Sequence, residues 1–343
     1  MSRTDTLGVW DATLDLPEQI TRARSRFEDG AGALDGLATP ASVVVFGMGG
    51  SGIAGDVANL IAADRASVPL AVVKDYRCPH WVDATTLAVA VSFSGNTEET
   101  IEAASAARAR GATVVAVTTG GELGRLAAQW DAPLLGVEAD IAMPRLAVGA
   151  VSVPVLLLLQ RLALVAGIDD ELDGAVAQLR RRREVLTRED NTAERLARRL
   201  GRTIPLVYGA GGVGAVAANR WKNQINENAK ATAFANVLPE ATHNELVGWG
   251  QHGDVTRQLL TLVELRHHHE HPQHGRRFTY VNQVVDETVH DIVAVEAEGD
   301  GLLAQLFDLV LVGDVVSVLL AFAEDVDPGP IPVLDDLKAF LAN

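Results

Sequence analysis

The sequence predicts an α/β protein built from two doubly wound parallel-sheet units, on three observations. A glycine turn occurs twice at a strand-to-helix transition: Gly47-Met48-Gly49-Gly50-Ser51-Gly52 follows the apolar run 43–46, and Gly209-Ala210-Gly211-Gly212-Val213-Gly214 follows 204–208. At 343 residues the chain is longer than one ordinary core needs, so two domains are the prior. Hydrophobic residues make up 48% and aromatics only 5%, with Ala, Val and Leu dominant, which suits parallel sheets covered by helices on both faces.

The elements follow in order. Residues from about 14 to 37 mix acidic, basic and apolar positions as an exposed helix does. Short apolar runs near 43–46, 70–73, 87–91 and 113–117 read as buried strands. Helices fill the intervals, one from near Gly52 and one from near Thr97 to about Arg110, where Gly111 supplies a stop. The apolar run 150–159 ends at Gln160-Arg161, too short to span a bilayer, and reads as a buried helix beginning near Pro154. From 168 to 199 the chain is highly charged, with Arg180 to Arg183 in a helical period. Flanking acids and the lack of interleaved aromatics make this a solvated inter-domain helix rather than a nucleic-acid patch. The second unit has strands near 204–208, 259–265 and 291–296, and long helices near 214–228 and 301–323. A proline-rich turn, 327–332, precedes a last short helix carrying Lys338. The expected division is 1–165 for the N-terminal helix and first unit, 166–202 for a linker helix, 203–326 for the second unit and 327–343 for the C-terminal turn and helix.

A net charge of −16 repels polyanions, which argues against nucleic acid or an anionic membrane as partner. A small anion can still bind where local amides and hydroxyls outweigh that field. The single cysteine, Cys78, excludes an intrachain disulfide and fits a reducing cytosol. Asp5, Asp11 and Asp15 near the start replace the basic and apolar regions of a signal peptide, so a cytoplasmic location is expected.

Only the first glycine turn offers a hydroxyl, Ser51, and only the first unit has a second hydroxyl-rich turn at a later strand end, Ser92-Phe93-Ser94-Gly95-Asn96-Thr97. Helix N-terminal amides with several hydroxyls suit a phosphate monoester. A dinucleotide is the rival, with Asp75 placed as a ribose-binding acid, but it does not account for the hydroxyls. Tight turns alone explain the glycines and leave the hydroxyls unexplained. A Walker loop is excluded because no Lys-Ser or Lys-Thr follows the glycines.

In the second unit, Asn226-Glu227-Asn228 is a poor helix interior and reads as a carboxylate held where a helix breaks. His243 follows in Pro239-Glu240-Ala241-Thr242-His243-Asn244-Glu245, and the clustering of Glu227 and this histidine with amides favours acid/base chemistry. The run from His267 to His274 lacks the fixed spacing of a metal site and reads as a surface loop. Cys78 has only Arg77 as a cationic neighbour in sequence, so burial or chance explains it better than nucleophilic catalysis.

Taken together, the two serine turns, Trp221-Lys222-Asn223-Gln224-Ile225-Asn226-Glu227-Asn228 and Thr242-His243-Asn244-Glu245 resemble the bifunctional phosphoglucose/phosphomannose isomerases of the SIS (sugar isomerase) superfamily, over nearly the whole chain. The resemblance implies two SIS-type α/β/α sandwiches and metal-independent aldose–ketose isomerisation of a hexose 6-phosphate through a cis-enediol. No cofactor is implied. Ser51, Ser92, Ser94 and Thr97, with the Gly49 and Gly50 turn, would hold the 6-phosphate. Glu227 would move the proton between C1 and C2, His243 would assist ring opening from the other subunit of a homodimer, Lys338 would contact the ring oxygen, and Arg145 would stabilise enediolate charge. One departure stands out: Gly329, in Pro328-Gly329-Pro330, replaces the family's threonine. The alternatives are a non-catalytic sugar-phosphate-sensing module, which has no need of Glu227, His243 and Lys338, and an amino-sugar or heptose phosphate isomerase.

Overall fold

The computed structural model describes residues 4–341. Two helices come first, α1 (Val9–Leu14) and α2 (Leu16–Gly30). α2 is not the exposed helix expected. Leu16, Ile20, Ala23 and Phe27 recur at helical spacing and are buried, while the charged positions between them face solvent. The first sheet unit then runs β1 (Ser42–Phe46), α3 (Gly49–Ala62), β2 (Leu70–Val73), β3 (Thr86–Val91), α4 (Glu98–Ala109), β4 (Thr113–Thr118), α5 (Gly121–Gln129) and β5 (Leu134–Gly136). Its sheet has the order β2-β1-β3-β4-β5 and every pairing is parallel. β5 is absent from the sequence reading because a three-residue edge strand has no period to detect.

α6 (Val148–Arg161) begins well before Pro154, which lies inside it. Gln19 of α2 explains the earlier start: its Oε1 accepts from Gly149 N at 2.7 Å and Ala150 N at 3.0 Å, capping α6 from a neighbouring helix. The charged stretch forms two helices rather than one, α7 (Ile168–Leu186) and α8 (Thr192–Leu200), with Asn191 Oδ1 accepting from Glu194 N at 3.0 Å as the N-cap of α8. Arg182 is also not solvated. It is 6% exposed and donates twice, at 2.7 Å each, to the buried Asp308 carboxylate.

The second sheet unit runs β6 (Ile204–Ala210), α9 (Gly211–Asn228), β7 (Phe234–Leu238), α10 (Gly253–Leu259), β8 (Leu260–Arg266), α11 (Pro272–Val285), β9 (Asp291–Glu296), α12 (Leu302–Ala323) and α13 (Pro332–Leu341). The order is β7-β6-β8-β9, again parallel throughout. β7 escapes the sequence reading because Asn236 interrupts a short edge strand. α12, not the 150–159 run, is the one described helix long and apolar enough to cross a membrane, and it is almost wholly buried. Asp308 and Asp314 on it pair with Arg182 and Arg220, which makes it a core helix.

The chain divides into two compact units: residues 15–177 with 301–304 contain the five-stranded sheet, and residues 4–14, 178–300 and 305–341 contain the four-stranded sheet.

Candidate active site

In the five-stranded sheet, β1 sends its chain through α3 to β2 on one side, while β3 lies on the other. The crevice beyond the ends of β1 and β3 is therefore the topological switch point where open α/β sheets bind ligands. The two serine turns meet there. Phe93 N donates to Ser51 Oγ at 2.9 Å, Ser92 Oγ and Thr97 Oγ1 are 2.9 Å apart, and Asn96 N donates to Ser94 Oγ at 3.2 Å. Ser51 and Ser92 are buried, whereas Ser94 is exposed.

Gly49 adopts φ +52°, so the turn into α3 uses the left-handed region. Gly50 is needed for a different reason: a Cβ there would lie 2.8 Å from Arg145 N, so the Pro144-Arg145 backbone packs directly on the turn. Arg145 itself is buried. This unit thus gathers Gly49, Gly50, Ser51, Ser92, Ser94, Thr97 and Arg145. Hydroxyls beside the amides of a helix N-terminus can bind a phosphate group. Lys74, just past the end of β2, also borders this turn, although no local sequence signal marks it: its Cε lies 3.3 Å from where a Gly52 Cβ would stand and its Nζ bonds Asp56 at 2.5 Å.

The second glycine turn repeats the backbone geometry. Its N-cap, Ala210, has φ −131° and ψ 149° against −122° and 155° for Met48, and Gly211 has φ +62°. The chemistry differs: Val213 stands in the place of Ser51, and His267 Nε2 lies 2.8 Å from Ala210 O. Burial holds the His267 imidazole below its usual pKa, which favours the neutral ring. The histidine run is thus not all surface loop, since His267 is buried and Pro272 opens α11. Among the described residues no group of three or more His, Cys, Asp or Glu side chains is arranged to hold a metal ion. Cys78 is buried, and the cation beside it is Arg110, with Nη1 at 3.7 Å from Sγ, rather than Arg77; burial raises the thiol pKa.

Glu227 lies in the last turn of α9, half-buried. α12 fixes that helix in place. Arg220 donates to both oxygens of Asp314 at 3.0 and 2.7 Å, Trp221 Nε1 donates to Leu309 O at 2.7 Å, and Asn228 Nδ2 donates to Ser317 Oγ at 2.9 Å. Lys230, at φ +53°, ends the helix, and its Nζ donates to Glu227 O at 2.9 Å, Asp327 O at 3.0 Å and Pro328 O at 2.9 Å. The signal that marks Lys230 in the sequence is a cation just past a helix C-terminus. His243 ends a 3-10 turn, Glu240–His243, and is exposed. Lys338 is exposed on α13, 3.3 Å from Asp335. Glu227, His243 and Lys338 thus lie on three different elements of the four-stranded unit.

Comparison with known proteins adds a second line of observation. Residues 36–139 match the SIS domain, and residues 189–341 match the bacterial phospho-glucose isomerase C-terminal SIS domain. A bifunctional phosphoglucose/phosphomannose isomerase of Caldicellulosiruptor bescii is 34% identical over 98% of this chain and 99% of its own. One from Aquifex aeolicus is 33% identical over 88% of this chain and 90% of its own. The C-terminal domain of glucosamine-fructose-6-phosphate aminotransferase from Francisella tularensis superposes with a TM-score of 0.68 at 14% identity, covering 94% of this chain and 98% of that one, a likeness of fold.

Proposed function

The chain belongs to the bifunctional phosphoglucose/phosphomannose isomerase family, and we propose that it interconverts glucose 6-phosphate and mannose 6-phosphate with fructose 6-phosphate through a cis-enediol. The observation that carries the reading is family membership, with a relative 34% identical over 98% of the chain, in a sequence that contains both the serine cluster and Glu227. A sensing module would need only the cluster.

The proposed roles follow from the chemistry. Aldose–ketose isomerisation needs an anchor for the phosphate, one base for the proton that moves between C1 and C2, a cation for the developing oxyanion and an acid/base for the ring oxygen. Ser51, Ser92, Ser94, Thr97 and the amides of the Gly49-Gly50 turn are the proposed anchor. Glu227 is the proposed base, Arg145 the cation, and His243 and Lys338 the groups that act at the ring oxygen. Buried pairing of Arg220 with Asp314 supports the assignment of Glu227, because a base must be held still to work. We further propose a cytoplasmic homodimer in which each subunit receives His243 from the other.

The test is incubation of the purified protein with fructose 6-phosphate, with and without a chelator, followed by identification of the aldoses. Glucose 6-phosphate and mannose 6-phosphate should both form, and chelation should leave the rate unchanged. Absence of either aldose would narrow the reading to a single epimer. Activity lost in chelator and restored by a divalent ion would overturn the metal-independent mechanism.

A further inference from the structure

His243 is the exposed last residue of one 3-10 turn, with Asn244 alone between it and the next turn, Glu245–Gly248, so its direction depends on how the segment around it is tied down. The ties are specific. Tyr208 on β6 and Asn236 on β7 are register partners, side by side in the sheet. The Glu245 carboxylate spans them: Tyr208 Oη donates to Oε1 and Asn236 Nδ2 donates to Oε2. Burial, and then Glu245, push the Tyr208 phenol well above its usual pKa, so it stays a donor.

On the other side of the histidine, Arg277 of α11 donates to Thr242 Oγ1, which itself donates to Pro239 O at 2.6 Å. Asn244 closes the segment internally, donating from Nδ2 to Glu240 Oε1 at 2.8 Å and accepting from Glu245 N at 2.6 Å. Leu246 and Trp249 pack against the apolar face of the sheet just beyond. Among the described residues His243 is thus an exposed side chain in a segment whose neighbours Thr242, Asn244 and Glu245 are tied down on both flanks.

We propose that Glu245, gripped by Tyr208 and Asn236, is a positioning residue for His243: it fixes the 242–245 segment on the sheet and so sets where the imidazole is presented. This rests on the isomerase reading, in which His243 serves ring opening and Glu227 serves proton transfer. The two steps can be separated experimentally. Fructose 6-phosphate must open its ring before isomerisation. 5-Deoxyfructose 6-phosphate has no hydroxyl with which to close one, so its C1 hydrogen exchange in deuterated water reports proton transfer without ring opening.

For Glu245→Gln, kcat on fructose 6-phosphate should fall about tenfold to a hundredfold with KM changed by less than about twofold, the scale of a misplaced group in a site. Tyr208→Phe should show the same pattern more weakly. Exchange with the deoxy analogue should stay within about twofold of wild type for both. Tyr208→Phe and Asn236→Ala remain informative if Glu245→Gln does not fold. Parallel loss on both substrates would mean that Glu245 only supports the scaffold, and unchanged rates on both would mean that the tie is irrelevant to His243. Either result overturns the proposal while leaving the isomerase reading intact. Wild-type protein inactive on fructose 6-phosphate would instead remove that reading and this inference with it.

Discussion

Leu7 fills the space that a side chain at Gly329 would need: a Cβ built on Gly329 would lie 2.9 Å from Leu7 Cγ and 3.0 Å from Leu7 Cβ. The flanking bonds show the two segments fitted to each other, with Thr6 Oγ1 donating to Asp327 Oδ2 at 2.6 Å and Gly329 N donating to Asp327 Oδ1 at 3.0 Å. The threonine expected in this turn is therefore not merely missing; its place is taken. Gly329→Thr should destabilise the protein by about 1–3 kcal/mol, the usual cost of overpacking. Leu7→Ala should recover part of that loss. Urea unfolding of the two single variants and the double variant measures the coupling, and strictly additive costs would show that Leu7 and Gly329 do not constrain each other.

The serines of the first unit should separate into two behaviours. Ser94 is exposed, so Ser94→Ala should leave thermal stability alone and weaken binding of sugar phosphate by about 1.5–3 kcal/mol, the worth of a hydrogen bond to a charged group. Ser51→Ala also removes the acceptor of the buried Phe93 N–H and should cost roughly 1–3 kcal/mol of stability even without ligand. Calorimetry and steady-state KM on the same two proteins check this, and equal melting temperatures would refute the distinction.

Glu227→Gln preserves shape and removes the proposed base. Substrate affinity should persist while turnover falls by about 10²–10⁴-fold. Wild-type protein should carry deuterium from solvent into C2 of the aldose phosphate, and the variant should not. Near-normal turnover in the variant would make Glu227 structural.

A shared site predicts complementation. Inactive Glu227→Gln and inactive His243→Ala proteins, mixed under conditions that exchange subunits, should regain activity, because one of the two sites in a heterodimer is intact. No recovery after proven exchange would place both groups in one subunit.

Glu264 on β8 is 2% exposed, and its Oε1 has no hydrogen-bond partner among the described residues. Burial raises its pKa from 4.5 to about 7, with Asn282 and Arg266 pulling the other way. An acid whose pKa is higher in the folded state binds its proton more tightly there, so this stabilisation is full below the unfolded value and is lost as pH rises through about 7. Glu264→Gln lacks that dependence. Relative to the variant, the wild type should lose on the order of 3 kcal/mol between about pH 4 and pH 8, at about 1.4 kcal/mol per pH unit of displacement. Urea titrations at the two extremes test it, and parallel stabilities would mean that the carboxyl finds a partner when ionised.

The amino-acid sequence by itself determined the parts of this protein that are written in neighbouring residues. Both glycine turns, the largely buried strands β1, β3 and β6 and the long helices α9 and α12 are legible because burial on one or both faces imposes a run or a period on adjacent positions. The serine turns and the Asn226-Glu227-Asn228 segment are legible for the same local reason. Tertiary structure alone decided the rest. The edge strands β5 and β7 exist through pairing with β4 and β6. Arg182, in a run that looks solvated, is buried because Asp308, 126 residues away, receives it. Gln19 starts α6 from a different helix, and Leu7 determines what position 329 can hold. Such pairings carry no local period: a polar group enters the interior only where a distant partner completes its hydrogen bonds, and only the folded chain brings the two together.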